Sequence, residues 1–445
     1  VVRGVVPAAA DASLPASLRE LVLEGAWCEQ EQEDPDGQHE ANEADEAAVE
    51  AWLASGRLPS LQQLQLKGLV GDSYFYKLDF SGLPGLRDLR FLLSGPEIFW
   101  HSVAIPYSLS TLSNLEVLQL GVSGQHRFPG RVPAWYMGIY EADTLAKFTK
   151  LRSLGYVAHL PDISPDEDFF EVHFPQLSSL QLVVEDERLP DGVDPSCFPS
   201  LQHLVVQCEV VKTSMVQRLA QLTTLTCLQL NTGSRGFYKK TTRSREGGWC
   251  GLEALSHSLH LLRRLELVNC FGFEQRGADS QGRDTFWFPL SIPNLSTFTQ
   301  LKQLQLACSL VPEDPYSTFF RLFQPKQLDP RPPRPSPAEF IAGLSKLTQL
   351  EQLEVLGYSS VTPGLLTDLV SCLPGLRALE VGLCRHPSLI HVEEQQAVGT
   401  MEGATGSGIY GDCESTPVDQ GFAQASRACE GLRPGLRVQV GYAPQ

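Results

Sequence analysis

One phrase recurs thirteen times along the chain: an apolar residue, two residues, then Leu-x-x-Leu-x-Leu, with the last position sometimes Val, Phe or Tyr. The early copies are LPASLRELVL, LPSLQQLQL, LPGLRDLRF and LSNLEVLQL, closing at Leu23, Leu66, Phe91 and Leu120. FTKLRSLGY, FPQLSSLQL, FPSLQHLVV and LTTLTCLQL close at Tyr156, Leu182, Val206 and Leu230. LHLLRRLEL, FTQLKQLQL, LTQLEQLEV and LPGLRALEV close at Leu267, Leu306, Val355 and Val381, and a degenerate copy with Leu436, Val438 and Val440 follows. Each phrase holds a period-two stretch such as Leu64-Gln65-Leu66, the alternation of a short half-buried strand. A lone strand cannot bury that face. Recurrence every 24 to 29 residues, where no insertion intervenes, predicts units that each turn once around a solenoid and stack their leucines on those of their neighbours.

With thirteen copies, the phrase resembles that of the leucine-rich repeat family over nearly the whole chain. The resemblance implies an α/β horseshoe solenoid: a parallel concave sheet of about thirteen strands and an irregular or helical convex side. At about 4.8 Å per strand such a sheet runs on the order of 60 Å. The position three residues after the last leucine, commonly Asn or Cys in the family, never holds Asn here and reads, for example, Ala26, Ser94, Glu185, Cys270 and Cys384. The plant receptor pattern Asn-x-Leu-x-Gly-x-Ile-Pro is missing. The copy from Val361 to Cys384 is similar to the cysteine-containing repeats of F-box receptor subunits of ubiquitin ligases.

Because a solenoid grows without a central core, 445 residues read as one elongated domain rather than several globular ones. Insertion loops are expected at 27–56, 232–250, 273–297, 308–340 and 385–431. The first is acidic, with ten Asp and Glu and no Lys or Arg between Cys28 and Glu50, and ends in an amphipathic stretch with Val49, Trp52 and Leu53 facing inward. It reads as a solvated loop followed by a convex helix, or as an acidic docking surface. The second holds the one basic cluster, Arg235, Lys239, Lys240, Arg243 and Arg245, a candidate contact for an acidic peptide or phosphate. The third carries Phe286-Trp287-Phe288, read as folding back over the convex side. The fourth ends in a polyproline stretch from Pro330 to Pro337, a stiff spacer. The last is Gly- and Ser-rich, which predicts mobility. Its Gly406-Ser407-Gly408-Ile409-Tyr410-Gly411 lacks the strand and helix that a dinucleotide motif requires.

The formal charge of −17 opposes nucleic-acid binding, which rests on Lys and Arg neutralising phosphates. Eleven cysteines, an odd number without Cys-x-x-Cys pairs, indicate reduced thiols and an intracellular, cytoplasmic setting. The sequon at Asn294 opposes this weakly. No apolar run reaches the ~18 residues of a membrane span, and no signal segment is evident. The chain opens Val1-Val2-Arg3 with its first methionine at Met137, as in a processed product or a fragment, and the segment from Val1 to Ser13 is the candidate N-terminal cap.

Catalytic chemistry needs converging polar groups, and no motif for a metalloprotease, a phosphate-binding loop or a serine nucleophile is present. His257 and His260 lie three apart but lack a third ligand. No enzyme, cofactor or metal is expected. The sheet face is the natural binding surface: its middle column includes Gln65, Arg90, Gln119, Gln181, Gln229, Glu266, Gln305, Glu354 and Glu380, turned away from the core. The expectation is a non-catalytic protein-interaction module binding a protein partner through this face and the loops, with the three glutamates favouring basic segments. Three rival readings remain open: the substrate receptor of an F-box-type ubiquitin ligase, a structural subunit of a permanent assembly, and the ligand-sensing domain of an immune-type receptor.

Overall fold

The computed structural model describes residues 2–4, 15–27, 53–69, 78–93, 106–122, 135–136, 144–159, 172–184, 195–208, 213–232, 255–268, 274–278, 284–287, 295–307, 337–358, 363–383 and 417–442. Contacts divide the chain into two compact units, Val1–Thr226 and Cys227–Gln445. The first holds β1 (Val2–Gly4), β2 (Glu20–Trp27), β3 (Gln63–Leu69), β4 (Asp88–Leu93), β5 (Val117–Val122), β6 (Trp135–Tyr136), β7 (Ser153–His159), β8 (Ser179–Val184), β9 (His203–Cys208) and helix α1 (Thr213–Leu219). The second holds β10 (Cys227–Thr232), β11 (Arg264–Val268), β12 (Glu274–Ala278), β13 (Asp284–Trp287), β14 (Gln303–Ala307), β15 (Gln352–Tyr358), β16 (Ala378–Leu383) and β17 (Arg437–Tyr442). Its helices are α2 (Pro337–Leu344), α3 (Pro363–Cys372) and α4 (Pro417–Leu432).

All thirteen phrases form strands of parallel sheet, seven in the first unit and six in the second. In unit one each of β2, β3, β4, β5, β7, β8 and β9 pairs in parallel with the next, β6 adds a short pairing to β7, and β1 pairs with β2. In unit two β10, β11, β14, β15, β16 and β17 form the corresponding series. This is the leucine-rich repeat architecture the phrase implied, seen in each unit separately.

The phrase also specifies the turn that leads into each strand. In all thirteen copies the N–H of the first leucine donates to the carbonyl three residues earlier, as Leu61 to Leu58, Leu177 to Phe174 and Leu376 to Leu373. One carbonyl then accepts two successive N–H groups of the following repeat. Gln62 O takes Arg87 and Asp88 N–H, both at 2.9 Å, and Glu351 O takes those of Arg377 and Ala378 at 2.7 and 3.0 Å. Inward positions stack in register: Leu64, Leu89 and Leu118 in unit one, and Leu228, Leu265, Leu304, Leu353 and Leu379 in unit two. All of these are 0 or 1% exposed. The leading apolar positions, which include Phe148, Phe174, Phe198 and Phe298, form another buried column, in which the rings of Phe174 and Phe198 stack at 5.9 Å.

The residue just before the first leucine faces the preceding repeat. Asn114 Nδ2, Ser200 Oγ and Thr224 Oγ1 donate to the carbonyls of Pro84, Pro175 and Leu201 at 3.1, 2.7 and 2.6 Å. Where this residue is Gly375 the backbone comes closer still, and a Cβ there would lie 2.8 Å from Thr348 O and 3.1 Å from Leu350 O.

The structure adds elements inside the expected insertions. Residues 274–278 and 284–287 pair antiparallel as β12 and β13, whose side chains fall outside the described residues. The stretch 417–432, expected as part of a mobile loop, is helix α4, which packs on α3 and β17. Phe422, Ala425 and Cys429, at helical spacing, are its buried stripe, and Pro417 suits the first helical position. Arg433, just after α4, caps the C-terminal end of α3: Nη2 donates to Val370 O at 2.7 Å, and Nη1 to Leu376 O at 3.2 Å and to Leu373 O. Of the acidic insertion's inward residues only Leu53 is described, and it is fully buried.

A methyl group at Gly375 must push the Thr348 backbone away, so Gly375→Ala is expected to destabilise the chain by about 1–3 kcal/mol, read from the midpoint of urea unfolding. Gly431→Ala, within α4 where a Cβ meets nothing within 4 Å, serves as the control and is expected to be neutral or to stabilise by up to about 1 kcal/mol.

Candidate functional site

With leucines fixed inward, period two turns the intervening residues to the opposite face. In unit one the middle column runs in register through Val22, Gln65, Arg90, Gln119, Gly155, Gln181 and Val205. Asp88, two residues before Arg90 on the same face, accepts its Nε and Nη2 at 2.9 Å each. That bond, with help from the charges of Asp88 and Glu20, raises the guanidinium pKa further, so Arg90 is a fixed cation whose charge is already matched. Gly155 leaves a gap in the column; a Cβ there would come within 3.2 Å of Gln119 Cγ, so Gln119 lies over it. Gln65 and Gln119 are half-buried and Gln181 is exposed. Among its described residues, the middle column of unit one is thus mostly polar, and its one charged member, Arg90, is matched by Asp88.

Unit two differs. Its middle column runs through Gln229, Glu266, Gln305, Glu354, Glu380 and Gln439, brought into line by the strand register. The expectation that Glu266 is an open surface group is corrected: the residue is only 7% exposed. The Arg264 guanidinium, two residues earlier on the same face, reaches along the strand and bonds its carboxylate through Nε. Arg264 itself remains half open to solvent, with 54% of its side chain exposed.

Glu354 and Glu380 sit on neighbouring strands in register, and neither has a Lys or Arg ion-pair partner among the described residues. Glu354 accepts a hydrogen bond from Gln352 Nε2 at 2.5 Å. Burial pushes its pKa up, the Gln352 bond pulls it partly back, and the charges of Glu380 and Glu266 push it up again while Arg264 opposes them.

Two residues further along each strand, beginning at Asn231, lies a column whose Val268, Ala307, Leu356 and Gly382 were not singled out from the sequence. Val268 and Leu356 are half-buried, whereas Ala307 and Gly382 are buried. Large and small side chains therefore alternate beside the acidic column. Its signal was present as the outward position after each final leucine or valine.

The remaining candidates separate. Arg235, Lys239, Lys240, Arg243 and Arg245 lie outside the described residues, as do Asn294, the proline stretch up to Ser336 and residues 406–411. His257 and His260 are both exposed, and a ring nitrogen of His260 lies 3.1 Å from Ser258 O. Among the described residues no group of three His, Cys, Asp or Glu is placed to hold a metal ion. Cys227 shares the outward face with Arg264, but burial raises its thiol pKa, which keeps it protonated and poorly nucleophilic. Among the described residues no helix is long and apolar enough to cross a membrane.

No family model and no curated protein matches the chain. Similar solved structures include an internalin from Listeria monocytogenes, with 15% identity, TM-score 0.35, and 75% of this chain and 78% of that one covered. Another is the Rad7 and Elc1 complex in yeast, at 13% identity and TM-score 0.38, with 79% of each chain covered. A third is the TLR13–ssRNA13 complex, at 15% identity and TM-score 0.31, covering 76% of this chain and 52% of that one. At such low TM-scores these likenesses carry no argument, and the fold rests on the register and turns described above.

The sign of the Glu354 shift yields a stability prediction. A carboxyl whose folded pKa is raised binds its proton more tightly in the native state, so its contribution falls as pH rises from the ordinary carboxylate value through the raised one. Glu354→Gln removes that loss. The variant is expected to melt higher than the parent at pH 7 and to converge toward it near pH 4, measured by thermal melts across this range.

Proposed function

We propose that the chain is a non-catalytic protein-binding module whose partner lies across the outward face of the sheet. The observation that carries this reading is the register. It aligns Gln65, Arg90, Gln119 and Gln181 in one unit, with a gap at Gly155, and Gln229, Glu266, Gln305, Glu354 and Glu380 in the other, into polar columns over a buried leucine layer. A rigid backing of this kind holds side chains at fixed spacing, which lowers the ordering cost of association.

A photo-crosslinking amino acid placed at Gln181 or Gln305 in the protein in its own cells is expected to trap another protein. The exposed turn positions Gln176 and Gln349 are the controls. Adducts at the turn positions alone, or at none of the four, would overturn the sheet face as the binding surface.

A further inference from the structure

We propose that the outward face of unit two, from β11 to β16, docks an amphipathic basic helix of a partner protein laid across the strands. This rests on the sheet-face reading above and names the partner's form and chemistry. Two columns in register carry it together: the acidic one at Glu266, Glu354 and Glu380, and the large-small one at Val268, Ala307, Leu356 and Gly382. Neither column alone specifies a ligand; side by side, they match the two faces of one element.

The spacing selects a helix. Adjacent strands are about 4.8 Å apart, and outward residues along one strand about 6.6 Å. Cations three or four residues apart on a helix are separated by about 4.5–6 Å along its axis, close to the step from Glu354 to Glu380 on neighbouring strands. An extended peptide repeats its same-side residues every ~6.6 Å and falls out of step. A helix is also about 10 Å across with its side chains, wide enough to cover both columns. Its apolar stripe would seat on Val268 and Leu356, with the recesses at Ala307 and Gly382 taking its larger side chains.

Charge sets the partner's sign and orientation. Glu266 is already answered by Arg264, whereas Glu354 and Glu380 are not paired with a cation among the described residues. On the far side of the acids the first outward column is uncharged at Gln352 and Ala378 and carries arginine only further along, at Arg264, which is paired with Glu266, and at Arg437. Lys and Arg on the partner are therefore drawn to Glu354 and Glu380, and the Leu356 and Gly382 column on one side of these acids fixes which flank of the apolar stripe must be basic.

The test uses the full chain and fluorescence anisotropy with three synthetic 18-residue probes: an amphipathic Leu/Lys helix with Lys along one flank, a proline-interrupted peptide of otherwise similar composition, and a Leu/Glu helix. The Leu/Lys helix is expected to bind, with affinity reduced at least tenfold in the Glu354→Gln/Glu380→Gln chain and severalfold in Leu356→Ala. Circular dichroism confirms that each variant is folded. The double change alters the net charge only from −17 to −15, two carboxylates being neutralised, so attraction to the chain's overall acidity would scarcely respond. Equal binding of the proline-interrupted probe, preference for the Leu/Glu helix, or unchanged affinity in the folded variants would overturn the proposal. Cross-links at Gln305 without any Leu/Lys binding would overturn the helix alone and leave the sheet-face reading standing.

Discussion

The register imposed by the inward leucines governs what the sheet presents. Because side chains alternate strictly along a strand, a slip of one residue would exchange the whole buried column for the polar one. Leu304 and Leu306 flank Gln305, and Leu353 and Val355 flank Glu354, so slippage would turn a polar side chain into the leucine core and expose two aliphatic groups on each such strand. That penalty accumulates along the stack, which is why Gln305 and Glu354 stand in line although forty-nine residues separate them in sequence.

The spacing between repeats has a second source, in the turns. A carbonyl that accepts two N–H groups from the next repeat, and a side-chain donor reaching back to the previous one, hold each turn against its neighbour. Serine, threonine and asparagine do this with a hydrogen bond, and Gly375 does it by close approach. The two solutions explain why such chemically different residues occupy one position of the phrase. They also place Lys302, Glu351 and Arg377 side by side, each just before its strand, where Glu351 meets Lys302 at 2.8 Å and Arg377 at 3.8 Å. Exposed pairs of this type contribute little individually, so alignment here follows from the backbone rather than causing it.

The thirteen strands, their turns and the middle column were legible because each is a short-range pattern repeated many times. What escaped was non-repeating. Helix α4 lies beside a Gly- and Ser-rich stretch whose composition obscures the helical spacing of Phe422, Ala425 and Cys429. The Arg433 guanidinium at the α3 carbonyls joins residues some sixty positions apart, from Val370 to Arg433, through a side chain that does not recur in the phrase. The burial of Glu266 likewise needed the path of the Arg264 side chain, which alternation cannot supply. The Val268, Ala307, Leu356 and Gly382 column was visible in principle, but its apolar members look like strand ends until the register is known.

The difference between the two polar faces follows from how each treats its acids. Asp88 is held by a bidentate arginine two residues after it on its own strand, and Glu266 by Arg264, two residues before it. In β15 the residue at that position is Gln352, which donates a hydrogen bond but no charge, and in β16 it is Ala378, which donates nothing. Replacing arginine by glutamine and alanine in the column beside Glu354 and Glu380 leaves two in-register carboxylates to repel each other, and burial adds to the cost for Glu354. A surface that holds like charges at about 4.8 Å gains from any cation that spans them, and this gain is largest where a partner also removes water from the adjoining Leu356 column.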